Sequence, residues 1–173
     1  MVVEELRALV RDIPDHPQAG VVFKDITPLL GDADAFRVAI DGLAAPFVAS
    51  AITHVVGIEA RGFIVAAPVA HQLRAGFVPV RKPGKLPWQT VMQRYELEYG
   101  TDALELHVDG VQPGDRVLIV DDVLATGGTA QAAAALVAST GATVVGLAFL
   151  IELEFLNGRS RLIDHKIASL LRY

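Results

Sequence analysis

The chain has 173 residues, 52% hydrophobic and 20% charged, with a formal net charge of −5 and no cysteine. That length and apolar share suit one domain with one substantial core over 1–173, and exclude a disordered chain of low hydrophobicity and high net charge. The acidic balance argues against broad affinity for nucleic acid or anionic membrane, and the lack of thiols excludes disulfides and thiolate metal sites, in keeping with a cytoplasmic protein.

Leu6, Leu9, Val10 and Ile13 recur at helical spacing, and Pro14 ends that first helix. Its acidic, amphipathic start is not that of a secretory signal. "GVVFKDITPLL" (20–30) reads as irregular, after which Phe36, Ile40, Leu43 and Phe47 restore a helical period. "HVVGI" is a strand running into the turn "EARGF", and "GFIVAAPVAHQLRAG" is a helix closed by Gly76. "FVPVRK" is a second strand, followed by a loop, "PGKLPW". Two alternating stretches between Gln93 and Val108, around Gly100, Thr101 and Asp102, predict a hairpin, and their polarity on both sides suggests an exposed arm. "RVLIVDD" and "TVVGLAFLIEL" are further strands, separated by the helix "GGTAQAAAALVASTG". Continuous apolar strands alternating with helices predict an α/β fold, a mostly parallel twisted sheet flanked by helices. The longest apolar run, "ATVVGLAFLI", is too short to span a bilayer.

Ligands in such sheets bind at the carboxyl ends of the strands, and Asp121 and Asp122 fall there, just before "ATGGT". The small residues let backbone amides approach an anion, and the helix starting near Gly128 adds its positive dipole end, which makes a phosphate cradle. Two carboxylates repel phosphate, so their partners are hydroxyl groups or a hydrated Mg²⁺ on the same ligand. A sugar phosphate fits that combination. A bare glycine pair would also serve as a simple turn; strand, paired acids, glycines and helix in sequence carry the stronger reading. Neither a Walker A loop nor the dinucleotide G-x-G-x-x-G fingerprint is present. Arg81, Lys82 and Lys85 in "RKPGK" form a basic cluster that suits an anionic ligand, although three such cations also occur as a solvated basic loop. The five histidines show no metal-ligand spacing.

The stretch "VDDVLATGGT" (120–129) resembles the phosphoribosyl-pyrophosphate loop of the type I phosphoribosyltransferases. With "GVVFKDITPLL", "GIEARGF" (57–63), "RKPGKLP" (81–87) and "YELEYG" (95–100), it follows the order found in the adenine phosphoribosyltransferases, over about residues 14 to 153. The resemblance implies a small N-terminal hood, a flexible hairpin lid, a homodimer, and Mg²⁺-dependent conversion of adenine and phosphoribosyl pyrophosphate (PRPP) to AMP and pyrophosphate in purine salvage. It assigns Ala125, Thr126, Gly127, Gly128 and Thr129 to the 5-phosphate and Asp121 and Asp122 to the ribose hydroxyls. Arg61, Arg81, Lys82 and Lys85 fall to the pyrophosphate, with Mg²⁺ carried by the substrate rather than by a definite protein ligand. Glu98, otherwise an ordinary exposed strand residue, becomes the group that handles the purine proton. Tyr95, Tyr99 and Trp88 suit a closed lid, though ordinary hairpin packing explains them equally. Val22, Phe23, Lys24 and Leu124 would form the adenine pocket; by sequence alone Phe23 is equally a core residue. A cis peptide at Glu59–Ala60 is implied in the same way. Lys24 departs from the family, where Arg is common, and Ala125 stands where hypoxanthine-guanine relatives carry Asp, which favours adenine. A phosphoribosyltransferase for another base, or a noncatalytic sensor of PRPP, are the alternatives; the retained lid motif and single-domain length speak against the sensor.

Overall fold

The computed structural model describes residues 2–96 and 100–173. In chain order the elements are α1 (Val3–Leu6), β1 (Arg11–Ile13), β2 (Phe23–Asp25), α2 (Thr27–Gly31), α3 (Ala33–Ala44), β3 (His54–Ile58), α4 (Gly62–Leu73) and β4 (Gly76–Val80). Then come β5 (Thr90–Glu96), β6 (Thr101–His107), β7 (Arg116–Leu124), α5 (Gly128–Ser139), β8 (Thr143–Glu152) and β9 (Ile167–Arg172). Five strands form a parallel sheet in the order β4-β3-β7-β8-β9, while β1 pairs with β2 and β5 with β6, both antiparallel.

The alternating pleat of the strands divides the core in two. Leu118 and Val120 face one side with Val65, Ala66 and Val69 of α4 and Ala39 and Leu43 of α3. Val117 and Ile119 face the other, with Ala130, Ala132, Ala133, Ala134 and Leu136 of α5 and Leu104 and Leu106 of β6. Both faces of β7 are therefore covered, which is why its sequence reads as an unbroken apolar run. Each fully buried Leu, Ile, Val or Phe contributes about 1.5–3 kcal/mol, against about 0–1 kcal/mol for an exposed ion pair, so these two layers hold the molecule together. Helix α3 starts where Asp32 Oδ1 accepts from the amide of Ala35 at 2.8 Å.

Five details depart from the pattern. Residues 20–30, expected to be irregular, hold strand β2 and most of helix α2, because Phe23 to Asp25 pair with β1 and Thr27 opens a short helix with Pro28 in its first turn. The first helix stops at Leu6, passes through a 3-10 turn, and gives way to β1, because Ile13 pairs with Phe23 in the hood ribbon. Helix α4 is closed by Arg74 in the left-handed region, φ 55°, while Gly76 opens β4. There, a side chain at 76 would press on the His54 ring at 2.8 Å. The hairpin is not an exposed arm at its base: Ala103, Leu104, Glu105 and Leu106 are buried. Strand β9 completes the sheet beyond the region where apolar patterning was legible.

Strand order positions the site. From β3 the chain moves outward to β4, and from β7 outward to β8 and β9, so the connections diverge between β3 and β7. The carboxyl ends of those two neighbours open on a crevice at this topological switch point, where ligands bind in open α/β sheets.

Candidate functional site

The end of β3 delivers Glu59, Ala60 and Arg61, and the end of β7 delivers Asp121 to Leu124, around a cavity of about 530 Å³. The hood closes it from the side with Val21, Val22, Phe23 and Lys24. The Glu59–Ala60 peptide is cis.

After Leu124 the chain turns through Ala125, Thr126 and Gly127, and α5 begins at Gly128. Gly127 has φ 85°, a conformation that costs residues with a Cβ about 1–2 kcal/mol. A second constraint acts there, since a Cβ at 127 would collide with the carbonyl oxygen of Gly158. The loop thus ends at the amino end of a twelve-residue helix, whose free amides and dipole favour an anion.

Asp121 and Asp122 lie within β7 rather than beyond its end. Asp122 is 6% exposed and its Oδ2 stands 2.8 Å from Arg61 Nε, an ion pair whose alignment falls short of a hydrogen bond. Asp121 Oδ1 accepts from the amide of Asp122 at 2.9 Å and lies against Gly62, where a Cβ would stand 2.5 Å from it. Burial first, and the neighbouring Asp122 carboxylate next, push the Asp121 pKa well above the usual carboxylate range. Burial raises Asp122 as well, against the pull of Arg61. Adjacent carboxylates that resist carrying two charges find their natural partners in hydroxyl donors and cations.

The cations are held by acids. Glu59 takes Lys85 Nζ at 2.6 Å, Arg81 Nη2 at 3.2 Å and the Lys82 amide at 2.9 Å. Burial alone would raise its pKa; these hydrogen bonds reverse the effect and bring it down to about 2. The Lys82 ammonium lies against Asp102 Oδ2 and 3.3 Å from the Tyr95 hydroxyl, which in turn accepts from Thr129 Oγ1 at 3.4 Å. Tyr95 therefore ties the hairpin to the first turn of α5.

Residues 30–168 match the phosphoribosyl transferase domain family. The chain belongs to that family. An adenine phosphoribosyltransferase of Thermobifida fusca (strain YX) is 62% identical over 161 residues, covering 93% of this chain and 92% of its own length. One from Anaeromyxobacter dehalogenans (strain 2CP-C) is 56% identical over 172 residues, covering 99% and 100%. The crystal structure of adenine phosphoribosyltransferase from Rhodothermus marinus superposes with a TM-score of 0.95 at 55% identity, covering 99% of this chain and 98% of that one.

Within this phosphoribosyl transferase fold, Arg61, Lys82, Asp121, Asp122, Leu124, Ala125, Thr126, Gly127 and Thr129 line one cavity with Val22, Phe23 and Lys24. Gly128 lies directly behind the loop as the first helical residue. Arg81 and Lys85 reach the site's edge through Glu59. The Phe23 ring has the Arg61 guanidinium 4.6 Å from its centroid, and His16 packs edge-on at 5.1 Å. The Lys24 ammonium is committed to Asp12 at 2.6 Å and lies 4.0 Å from the Tyr173 ring centroid. Trp88 is 64% exposed, and Glu98 and Tyr99 lie outside the described residues. Local pattern carries no sign of Glu59 or Asp102 as holders of the cations, and the one sign of Gly158 behind the loop is a lone glycine followed by arginine in "NGRSR".

Proposed function

We infer that this chain transfers ribose 5-phosphate from PRPP to N9 of adenine, forming AMP and pyrophosphate in purine salvage. One observation carries the reading: paired acids at the end of β7 run straight into a left-handed glycine at the amino end of α5, beside four cations. The loop from Ala125 to Thr129 holds the 5-phosphate, and Asp121 and Asp122 take the ribose hydroxyls. Arg61, Arg81, Lys82 and Lys85 hold the pyrophosphate as the C1–O bond breaks and the N9–C1 bond forms. Because each of these cations is paired with Glu59, Asp102 or Asp122, the incoming anion exchanges with a carboxylate already in place.

The base lies between Phe23 and Leu124, with backbone around Val22 and Lys24 reading its edge. Lys24 contributes main chain because its ammonium is turned to Asp12. Glu98 on the hairpin lid accepts the N9 proton, and the closed lid excludes water from an electron-poor ribose.

Mg²⁺ fits this donor set as an ion brought by the substrate, since the adjacent carboxylates of Asp121 and Asp122 are hard oxygen donors able to hold its hydration shell. Bound there, it would neutralise pyrophosphate charge. Phe77, Trp88, Met92 and Val108 expose apolar surface along β4 to β6 and its flanks, consistent with a homodimer. Among the described residues no helix is long and apolar enough to cross a membrane. Separately, we propose a cytoplasmic enzyme, which a chain without cysteine suits.

The test is AMP formation from PRPP, Mg²⁺ and adenine, run beside hypoxanthine and guanine. Adenine should be strongly preferred, since a site that pairs with an exocyclic amine leaves buried groups unmatched when a carbonyl replaces it. Equal turnover of hypoxanthine would overturn the assignment of the base.

A further inference from the structure

We propose that the 3-10 turn Gly158–Arg161 positions the 5-phosphate loop, with Gly158 as the point of contact and the Glu152–Arg159 pair as its anchor. This rests on the loop's role proposed above. The contact is backbone on backbone in both directions. A Cβ at 127 would strike the Gly158 carbonyl oxygen, and a Cβ at 158 would strike the Ala125 carbonyl oxygen. The latter would also stand 3.0 Å from Leu124 Cδ1 and 3.1 Å from the Gly127 amide nitrogen. Gly158 is buried and is not among the residues of positive φ, so glycine is required there by closeness rather than by conformation. The rear wall of the loop is thus the main chain of a segment about thirty residues later in sequence.

That segment is held firmly. Arg159 Nε donates to Glu152 Oε1 at 2.6 Å and Nη2 to Oε2 at 2.8 Å, with Ser169 Oγ also 3.3 Å from Nη2. Glu152 is 4% exposed and sits opposite Leu124 in the β7–β8 register, the last residue before the loop. The amide of Leu153 donates to the Leu124 carbonyl at 2.9 Å. Asn157, with φ 51°, reverses the chain so that Gly158 meets the loop. A buried ion pair is poor evidence for stability, because desolvation offsets the attraction. A planar two-bond fork, however, fixes direction as well as distance, and here it fixes the turn that backs the loop.

The experiment compares Gly158→Ala, Arg159→Lys and Leu43→Ala, the last removing core side chain on the opposite face of the sheet. Steady-state kinetics give kcat and the KM of each substrate, calorimetry gives the Kd of ribose 5-phosphate, and melts give Tm. Displacing a phosphate cradle by about 1 Å costs up to ~100-fold. We expect Gly158→Ala to raise the KM for PRPP and the Kd for ribose 5-phosphate by at least ~10-fold, with the KM for adenine within about twofold. Arg159→Lys, which keeps the charge and loses the fork, should fall between it and the wild type. Leu43→Ala should lower Tm and leave both KM values in place. Wild-type ribose 5-phosphate affinity in both turn variants, or an equal rise in both KM values matched by Leu43→Ala, would overturn the proposal. Should Gly158→Ala fail to fold, Arg159→Lys decides alone. Ribose 5-phosphate binding is read without turnover, so an inactive wild type would count against the reaction and not against the turn.

Discussion

Replacing Glu59 by Gln removes the acid that gathers Arg81, Lys85 and the Lys82 amide, and its effect on stability follows from the carboxylate's titration. The pKa falls from 4.5 to about 2 in the folded chain. At about 1.4 kcal/mol per unit, that shift sets an upper bound of roughly 3 kcal/mol at neutral pH. Lys85 and Arg81 keep side-chain exposures of 49% and 34%, so solvent screens the pair, and about 1–2 kcal/mol is the expected loss. For a chain of this size the loss corresponds to a Tm lower by about 2–8 °C. The sign in pH is fixed: a depressed folded pKa means that the unfolded chain binds the proton first on acidification. The contribution is therefore complete above about pH 5 and disappears as pH falls toward 2, with roughly two-fifths gone by pH 3.5. Urea unfolding at pH 7, 5 and 3.5 for both proteins isolates this one group, because the other titrations cancel in the difference. The gap between wild type and variant should be constant from pH 7 to 5 and shrink at 3.5. A gap that stays constant down to 3.5, or no gap at pH 7, would refute the reasoning.

Three further outcomes are expected. Gly127→Val should abolish measurable calorimetric binding of PRPP with Mg²⁺ and cost about 1–3 kcal/mol in stability, through its left-handed φ and its contact with Gly158; wild-type affinity would reduce the loop to a turn. Asp121→Asn should raise Tm at pH 7, since a carboxyl with a raised folded pKa is destabilising once ionised, while kcat/KM falls and ribose 5-phosphate still binds; a lower Tm would contradict the burial argument. Glu98→Gln should lower kcat by ~100- to 10,000-fold with little change in the Kd of PRPP, and an unchanged kcat would remove the residue from the chemistry.

The sequence made the sheet's interior strands legible because β3, β7 and β8 are buried on both faces and need apolar residues throughout. The loop proposed to hold the 5-phosphate stands out for a different reason: a glycine pair before an alanine-rich helix has few other uses once acids precede it. What could not be read was tertiary. The short strand β9, "IASLLR", follows a basic, irregular segment and lacks any periodic lead. Val10 and Ile13 keep a helical spacing although Ile13 is claimed by a ribbon partner ten residues away. Glu105 made the hairpin look two-sided and exposed, yet it is 7% exposed, its main chain paired with Arg81 and its carboxylate accepting from the Gly84 amide at 3.1 Å. The carboxylate partners of the cations lie 20 to 61 residues from them in sequence and are brought to them only by folding; local pattern carries no record of Glu59 against Lys85 or Asp122 against Arg61.

Strand β7 is bonded on one side to β3 and on the other to β8, so the amides of Leu118, Ile119 and Val120 have no edge from which to open. In hydrogen–deuterium exchange they should be released only by global unfolding, whereas the β1–β2 ribbon, a two-stranded piece outside the main sheet, should exchange by local opening. The acids grow from the slowest-exchanging strand and Phe23 from the ribbon. Ligand bound to the folded chain should slow β7 only through the gain in global stability, and the ribbon through closure of its local openings as well; on the proposed assignment the side that meets the sugar is already ordered, and ordering on binding falls to the side that meets the base.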